Sequence, residues 1–222
     1  VTAGSGWWTS GFFPGCLWYL YEYSNDEKFR DYAIEMTGRI EKEKDNKGTH
    51  DLGFMLYCSY GNGLRITDDE PYKEVLLTGA RSLSTRFRPN IGCIQSWGSR
   101  KGWQCPVIID NMMNLEFLMW AFNQTGDSIF YRIAVTHSDT TIKNHFRPDF
   151  STWHVISYDT ITGNVEARQT AQGAADGSAW ARGQSWGLYG YTVMYRETGL
   201  QRYLDQAEHI ADYLINHPNM PE

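Results

Sequence analysis

Long apolar runs are missing from this 222-residue chain, and the longest, Phe117 to Phe122, falls far short of a membrane span, which needs ~20 residues. No membrane partner is expected. The first residues, Val1-Thr2-Ala3-Gly4-Ser5-Gly6, lack the basic-then-apolar order of a secretory signal. An excess of basic charge is missing too: 20 Lys and Arg stand against 26 Asp and Glu, a net charge of −6. Affinity for nucleic acid comes largely from cations on phosphates, so no nucleic-acid partner is expected. Cysteine is sparse. Cys16, Cys58, Cys93 and Cys105 show neither C-x-x-C spacing nor a histidine at zinc-finger distance, and they read as small buried hydrophobes rather than disulfides or metal ligands. There is no Walker loop, no G-x-G-x-x-G after a strand, no G-x-S-x-G and no H-E-x-x-H.

Aromatic residues are abundant instead, at 15% of the chain, with nine Trp and fourteen Tyr. Flat amphipathic rings suit a carbohydrate site, and core packing uses the same residues. The apolar share of 41% excludes a disordered chain, and the length fits one domain.

A loose internal repeat organises the sequence. Four times an aromatic-rich apolar segment runs through a polar turn into an amphipathic helix, at Asp26-Glu27-Lys28-Phe29, Asp69-Glu70-Pro71-Tyr72, Asp127-Ser128-Ile129-Phe130 and Leu200-Gln201-Arg202-Tyr203. In three of them Asp stands where an N-cap opposes the helix dipole. The second helices carry a 3.6-residue period, as in Phe29, Tyr32, Ala33, Met36 and Ile40. The first helices, such as Phe12 to Tyr23 and Leu115 to Phe122, are apolar almost all round and belong to an inner layer. Four inner–outer hairpins in two concentric layers are expected. The aromatic anchors lie 43, 58 and 73 residues apart. That drift means insertions, and loops are where sites are usually built. One insertion, Arg147 to Asp176, carries a β-hairpin pattern with its turn near Gly163-Asn164.

Polar, reactive side chains gather where the inner helices begin. Trp7-Trp8-Thr9-Ser10-Gly11-Phe12 opens the first and His50-Asp51-Leu52-Gly53-Phe54 the second. Asp110-Asn111-Met112-Met113-Asn114 opens the third and Trp180-Ala181-Arg182-Gly183-Gln184-Ser185-Trp186 the fourth. By residue type alone, Asp51 and Asp110 read first as helix caps. Asp110, however, lies between an apolar run and a Met-rich helix, where burial would make it a proton donor near neutral pH. Arg182, between Trp180 and Trp186, is placed to fork a planar carboxylate. His154 reads first as a structural histidine. Asn123-Gln124-Thr125 fits a glycosylation sequon, a pattern too short to carry weight.

These four clusters, in order over essentially the whole chain, resemble the signature segments of family 88 glycoside hydrolases, the unsaturated glucuronyl hydrolases. The resemblance implies an all-α fold, an (α/α)6 barrel of inner–outer helical hairpins. It implies removal of a 4,5-unsaturated uronic acid from oligosaccharides left by polysaccharide lyases, by hydration of a vinyl ether. Asp110 matches the family's proton donor and Asp51 a second carboxylate. His154, Gln172 and Arg182 match polar positions around the unsaturated sugar, and Trp8, Trp97 and Trp186 match aromatic positions lining its pocket. No metal or cofactor is implied. The sister family 105, active on pectin-derived fragments, shares the fold and reaction, and the His-Asp-Leu-Gly-Phe segment favours family 88.

Six hairpins close such a barrel and about four are counted here. The expectation is therefore a single catalytic domain over residues 1–222, truncated at both ends. A non-catalytic carbohydrate-binding barrel and a helical scaffold for protein partners are the alternatives from other classes. Oligomeric state, sulfation preference and compartment, bacterial periplasm or cytoplasm, stay open at this level.

Overall fold

The computed structural model describes residues 4–219. The chain divides into two compact units, one up to Arg86 and one from Phe87. The first holds helices α1 (Phe12–Ser24), α2 (Glu27–Gly38), α3 (Asn62–Thr67) and α4 (Glu70–Ser84), with a π-helical stretch, Gly53–Gly61, running directly into α3. The second holds α5 (Asn114–Thr125), α6 (Ser128–His145), α7 (Ala181–Thr198) and α8 (Gln201–Ile215). It also carries five short strands: β1 (Phe87–Arg88), β2 (Cys93–Ile94), β3 (Cys105–Ile108), β4 (Val155–Tyr158) and β5 (Val165–Gln169).

The expected hairpins are present, and one turn chemistry makes all four. Each first helix ends in a hydroxyl residue, Ser24, Thr67, Thr125 or Thr198, whose oxygen donates to the carbonyl four residues back, at 2.6–2.7 Å. Next comes a residue in the left-handed region, Asn25, Asp68, Gly126 or Gly199, whose N–H closes on the last helical turn. Such a residue ends a helix by satisfying its orphan carbonyls. The extended residue that follows, Asp26, Asp69, Asp127 or Leu200, is the N-cap of the second helix. Asp26 and Asp127 accept from the N–H two residues on at 3.0 Å, whereas Asp69 makes no such side-chain bond. The aromatic anchors Phe29, Tyr72, Phe130 and Tyr203 then each donate their N–H to the N-cap carbonyl.

Two local features depart from the sequence reading. The second inner segment is π-helical rather than α-helical, and α1 lies directly against it. A Cβ on Gly11 would come within 2.2 Å of the Phe54 and Met55 carbonyls, and one on Gly15 within 2.5 Å of that of Cys58. Only glycine permits this approach. The helix α1 is also less enclosed than an all-round apolar pattern implies. It packs on α2 and the π-helical stretch and leaves Phe13, Tyr19 and Tyr23 at 60%, 56% and 89% exposure within its unit. The cysteines divide as well. Cys93 and Cys105 are buried with Val107, Ile156 and Tyr158, but Cys16, on α1, is exposed and Cys58, on the π-helical stretch, is half-buried. All four are free thiols.

A three-stranded antiparallel sheet in the order β3-β4-β5 fixes where the chemistry sits. The expected hairpin is β4–β5, its turn holding Gly163 at φ +72°. The apolar run before Asp110 adds a third strand, β3, with Pro106 tolerated because β3 is an edge. The register aligns Ile108 with Val155 and Val155 with Gln169. Since neighbours run in opposite directions, the end of β3, the start of β4 and the end of β5 meet at one border of the sheet.

Candidate active site

That border places Asp110, two residues past β3, beside His154, one residue before β4, and beside the 170–172 segment that follows β5. Asp110 is 7% exposed and sits in the first turn of a 3-10 helix, Ile109–Met113, which leads into α5. The helix-cap reading of Asp110 fails here, since the N-cap position is Ile108. A buried polar net holds this turn. The Asn111 Nδ2 donates to the Ile94 carbonyl at 2.7 Å and to the Ser96 Oγ at 2.8 Å, and its Oδ1 accepts from Asn114 Nδ2 at 3.0 Å. The Ser96 hydroxyl in turn accepts from the Ile108 N–H at 2.9 Å. Fully satisfied buried nets of this kind fix one backbone arrangement.

His154 is 2% exposed, with Nε2 3.8 Å from Asp110 Oδ2. Aromatic rings enclose it: Trp180 at 4.4 Å between centroids, and Trp97 edge-on at 6.2 Å. Trp97 stacks on the buried Trp103 and carries the Arg100 guanidinium 3.6 Å from its centroid. At the start of α7 the Arg182 guanidinium lies over the Trp180 ring at 4.5 Å and donates to the Gln172 Oε1. Both Arg182 and Gln172 are exposed, and Trp186, one turn further along α7, is half-buried. The helix α7 meets the Asp110 turn without a gap, because a Cβ on Gly190 would lie 2.5 Å from that of Met112, and one on Gly183 2.9 Å from Ile109. The 170–178 segment is tied down by Arg147, which stacks on Trp153 at 3.8 Å and donates to the Thr152 and Asp176 carbonyls at 2.9 and 2.8 Å.

The first unit carries the other two expected positions. Asp51 lies just before the π-helical stretch, with no side-chain cap bond at that helix start. Its Oδ2 accepts from Thr49 Oγ1 at 2.7 Å, and its Oδ1 lies 3.3 Å from Nε2 of the buried His50. Trp8 packs edge-to-face on Phe54 at 5.4 Å and on Phe12 at 5.7 Å, so the clusters opening the first two inner helices lie against each other.

Within the second unit, then, Asp110, His154, Trp97, Gln172 and Arg182 come together, and Trp186 follows on the same helix. Asp51 and Trp8 come together in the first. Two features take on roles that the sequence does not assign: Trp180, whose ring meets both His154 and Arg182, and the Ser96–Asn111–Asn114 net. For Trp180 the only signal is its place two residues before Arg182. For the net it is the pair Asn111 and Asn114, three apart beside the carboxylate at a helix start. Among the described residues no group of three or more His, Cys, Asp or Glu is arranged to hold a metal ion. A buried carboxyl beside an imidazole that is itself packed by indoles can exchange a proton with a substrate atom brought against it.

The chain is similar to known proteins. The model of Glycosyl Hydrolase Family 88 matches residues 3–220. An unsaturated glucuronyl hydrolase of Formosa agariphila is 48% identical over 217 residues, covering 97% of this chain and 54% of that protein. A crystal structure of an unsaturated glucuronyl hydrolase specific for heparin superposes with a TM-score of 0.95 at 51% identity, over 99% of this chain and 59% of that one. A variant of the Streptococcus agalactiae unsaturated glucuronyl hydrolase, complexed with dGlcA-GalNAc6S, superposes with a TM-score of 0.74 at 30% identity, over 95% of this chain and 52% of that one. The chain thus spans about half the length of such relatives, and its hairpins correspond to part of their helical barrel. With a family model matched from residue 3 to residue 220 and the helical hairpins superposing throughout, the chain belongs to glycoside hydrolase family 88.

Proposed function

We propose that the whole protein removes 4,5-unsaturated glucuronic acid from the non-reducing end of glycosaminoglycan-derived oligosaccharides, by hydrating the C4=C5 bond. The observation that carries this reading is the buried Asp110 carboxyl, 3.8 Å from a buried His154 whose ring meets those of Trp97 and Trp180. Asp110 gives its proton to C4, and the positive charge that appears is shared between C5 and the ring oxygen. A second carboxylate stabilises such a cation electrostatically, and Asp51 is assigned that role. Water adds its oxygen to C5 and returns its proton to Asp110. The resulting hemiketal opens by breaking the bond from C5 to the ring oxygen, which leaves C5 as a ketone and C1 as a hemiacetal. That hemiacetal collapses and expels the neighbouring sugar with its own oxygen. No bond at C1 is attacked directly, so the carboxylate spacing that separates retaining from inverting glycosidases does not apply.

Arg182 and Gln172 are assigned to the uronate carboxylate, since a guanidinium held over Trp180 and bonded to Gln172 presents a planar fork. The resemblance to the family assigns Trp8, Trp97 and Trp186 to the walls of the sugar pocket. The relative described as specific for heparin makes heparin-derived unsaturated disaccharides the first substrates to try. The C4=C5 bond conjugated to the carboxylate absorbs in the ultraviolet, so hydration erases the signal. The complete gene product is expected to erase it with heparin- or chondroitin-derived disaccharides. Activity confined to unsaturated rhamnogalacturonan fragments, or binding without turnover, would overturn the reading.

A further inference from the structure

The Nδ1 atom of His154 faces two backbone N–H groups, those of Ala171 at 3.0 Å and Gln172 at 3.2 Å, with the Thr170 hydroxyl at 3.4 Å. A backbone N–H can only donate, so Nδ1 must present its lone pair, and the single ring proton of the neutral imidazole sits on Nε2. A second proton on Nδ1 would set three donors against one another. The Nε2 side is the one that lies 3.8 Å from Asp110 Oδ2, a gap that a small closing movement turns into a hydrogen bond.

We infer that His154 is a positioning residue, locked by the 170–172 backbone as its neutral Nε2–H form, which donates to the Asp110 carboxylate as that group releases its proton to the substrate. This rests on the proposed function and deepens it. The β5 border thereby acts twice, because the amides that precede the Gln172 side chain also set the proton on His154. The charged and titratable groups around the ring fit this assignment. Asp110 presents its Oδ2 to the Nε2 side of the ring. The Arg182 guanidinium also lies over the Trp180 ring, and its charge opposes any further cation nearby. His145, fully buried and bonded through Nε2 to the Val107 carbonyl at 3.2 Å, is pushed down to about 3, chiefly by burial, and stays neutral.

The test uses the complete protein labelled with nitrogen-15 in its histidines. The resonance that disappears in His154→Gln should report an unprotonated Nδ1 and a protonated Nε2, unchanged between about pH 5 and pH 8. A protonated Nδ1, or a shift that titrates within that range, overturns the assignment. Kinetics read the second half. His154→Gln keeps a donor near the Nε2 position and His154→Phe removes it, so kcat should fall by about 100-fold in the Phe variant and by clearly less in the Gln variant. Loss of the donor should also move the pH limb reporting Asp110 upward, because a hydrogen bond to a carboxylate favours its charged form. An unmoved limb, or equal losses in both variants, overturns the positioning role. Failure of the wild-type protein to consume unsaturated disaccharides would instead sink the proposed function, and with it the positioning role, while the resonance still decides the tautomer.

Discussion

Asn111 offers the most exacting test of how the Asp110 turn is held. Its side chain is fully buried, donates to the Ile94 carbonyl and Ser96 Oγ, and accepts from Asn114 Nδ2. In Asn111→Ala the Ile94 carbonyl and the Asn114 amide each lose a partner, and each unsatisfied buried group costs about 1–3 kcal/mol. Ser96 keeps the bond from the Ile108 N–H and so loses less. Allowing for local relaxation, the expected loss is about 3 kcal/mol. Asn111→Asp separates hydrogen bonding from packing. It leaves no cavity, keeps the acceptor for Asn114, and sets a carboxylate against the Ile94 carbonyl, so it should destabilise at least as much as Ala. Asn123→Ala, which removes one exposed bond to Glu197, should stay within about 0.5 kcal/mol. Urea unfolding of the purified variants reads all three. The same net sets the turn that carries Asp110, and misplacing a catalytic group by an ångström costs about 100-fold in rate, so turnover should fall with stability. If Asn111→Asp unfolds like the wild type, the net is not what fixes the turn.

Three further outcomes follow from the structure. Gly190→Ala drives a Cβ to 2.5 Å from Met112, and the forced separation of α7 from the Asp110 turn should cost about 1–3 kcal/mol in urea unfolding. His145 has its folded value depressed to about 3 by burial, while an unfolded histidine titrates near 6.5. The unfolded chain therefore binds the extra proton first. Stability from this residue is present in full above pH ~6.5 and falls by up to about 1.4 kcal/mol per pH unit as pH drops toward 3. His145→Gln should flatten that slope between about pH 6 and pH 4. Arg182→Lys keeps the charge but loses the guanidinium contact over Trp180 and the fork geometry, so KM for an unsaturated disaccharide should rise about tenfold or more, while the far-ultraviolet dichroism of the exposed-site variant stays unchanged.

The hairpins are legible in the sequence because their signals are local. A capping Asp and an aromatic three residues on are read directly from it, as at Asp26 and Phe29 or Asp127 and Phe130. The strand β3 is not, because Cys105–Ile108 is a short apolar run whose partner lies some fifty residues away in β4. Periodicity cannot distinguish such a run from a buried helix segment. The π-helical turns at Gly53–Gly61 are equally hidden, since they depend on how closely Gly11 and Gly15 bring α1. At the site, residue clusters mark Asp110, Arg182 and Trp186, but the convergence of Asp110 with His154 and Gln172 comes from antiparallel register. In sequence Trp180 is a neighbour of Arg182, and only the fold brings its ring against His154 as well.

The central claim is that Asp110 starts the reaction by protonating C4, so that the double bond is consumed before the sugar leaves. The most direct measurement follows ultraviolet absorbance and release of the neighbouring sugar together, from an unsaturated heparin- or chondroitin-derived disaccharide, with the complete protein and with Asp110→Asn. The account predicts that wild-type absorbance falls no later than the neighbouring sugar appears, one for one, and that Asp110→Asn does neither while still binding. Release running ahead of the loss of absorbance, or near-wild-type turnover by Asp110→Asn, would contradict it.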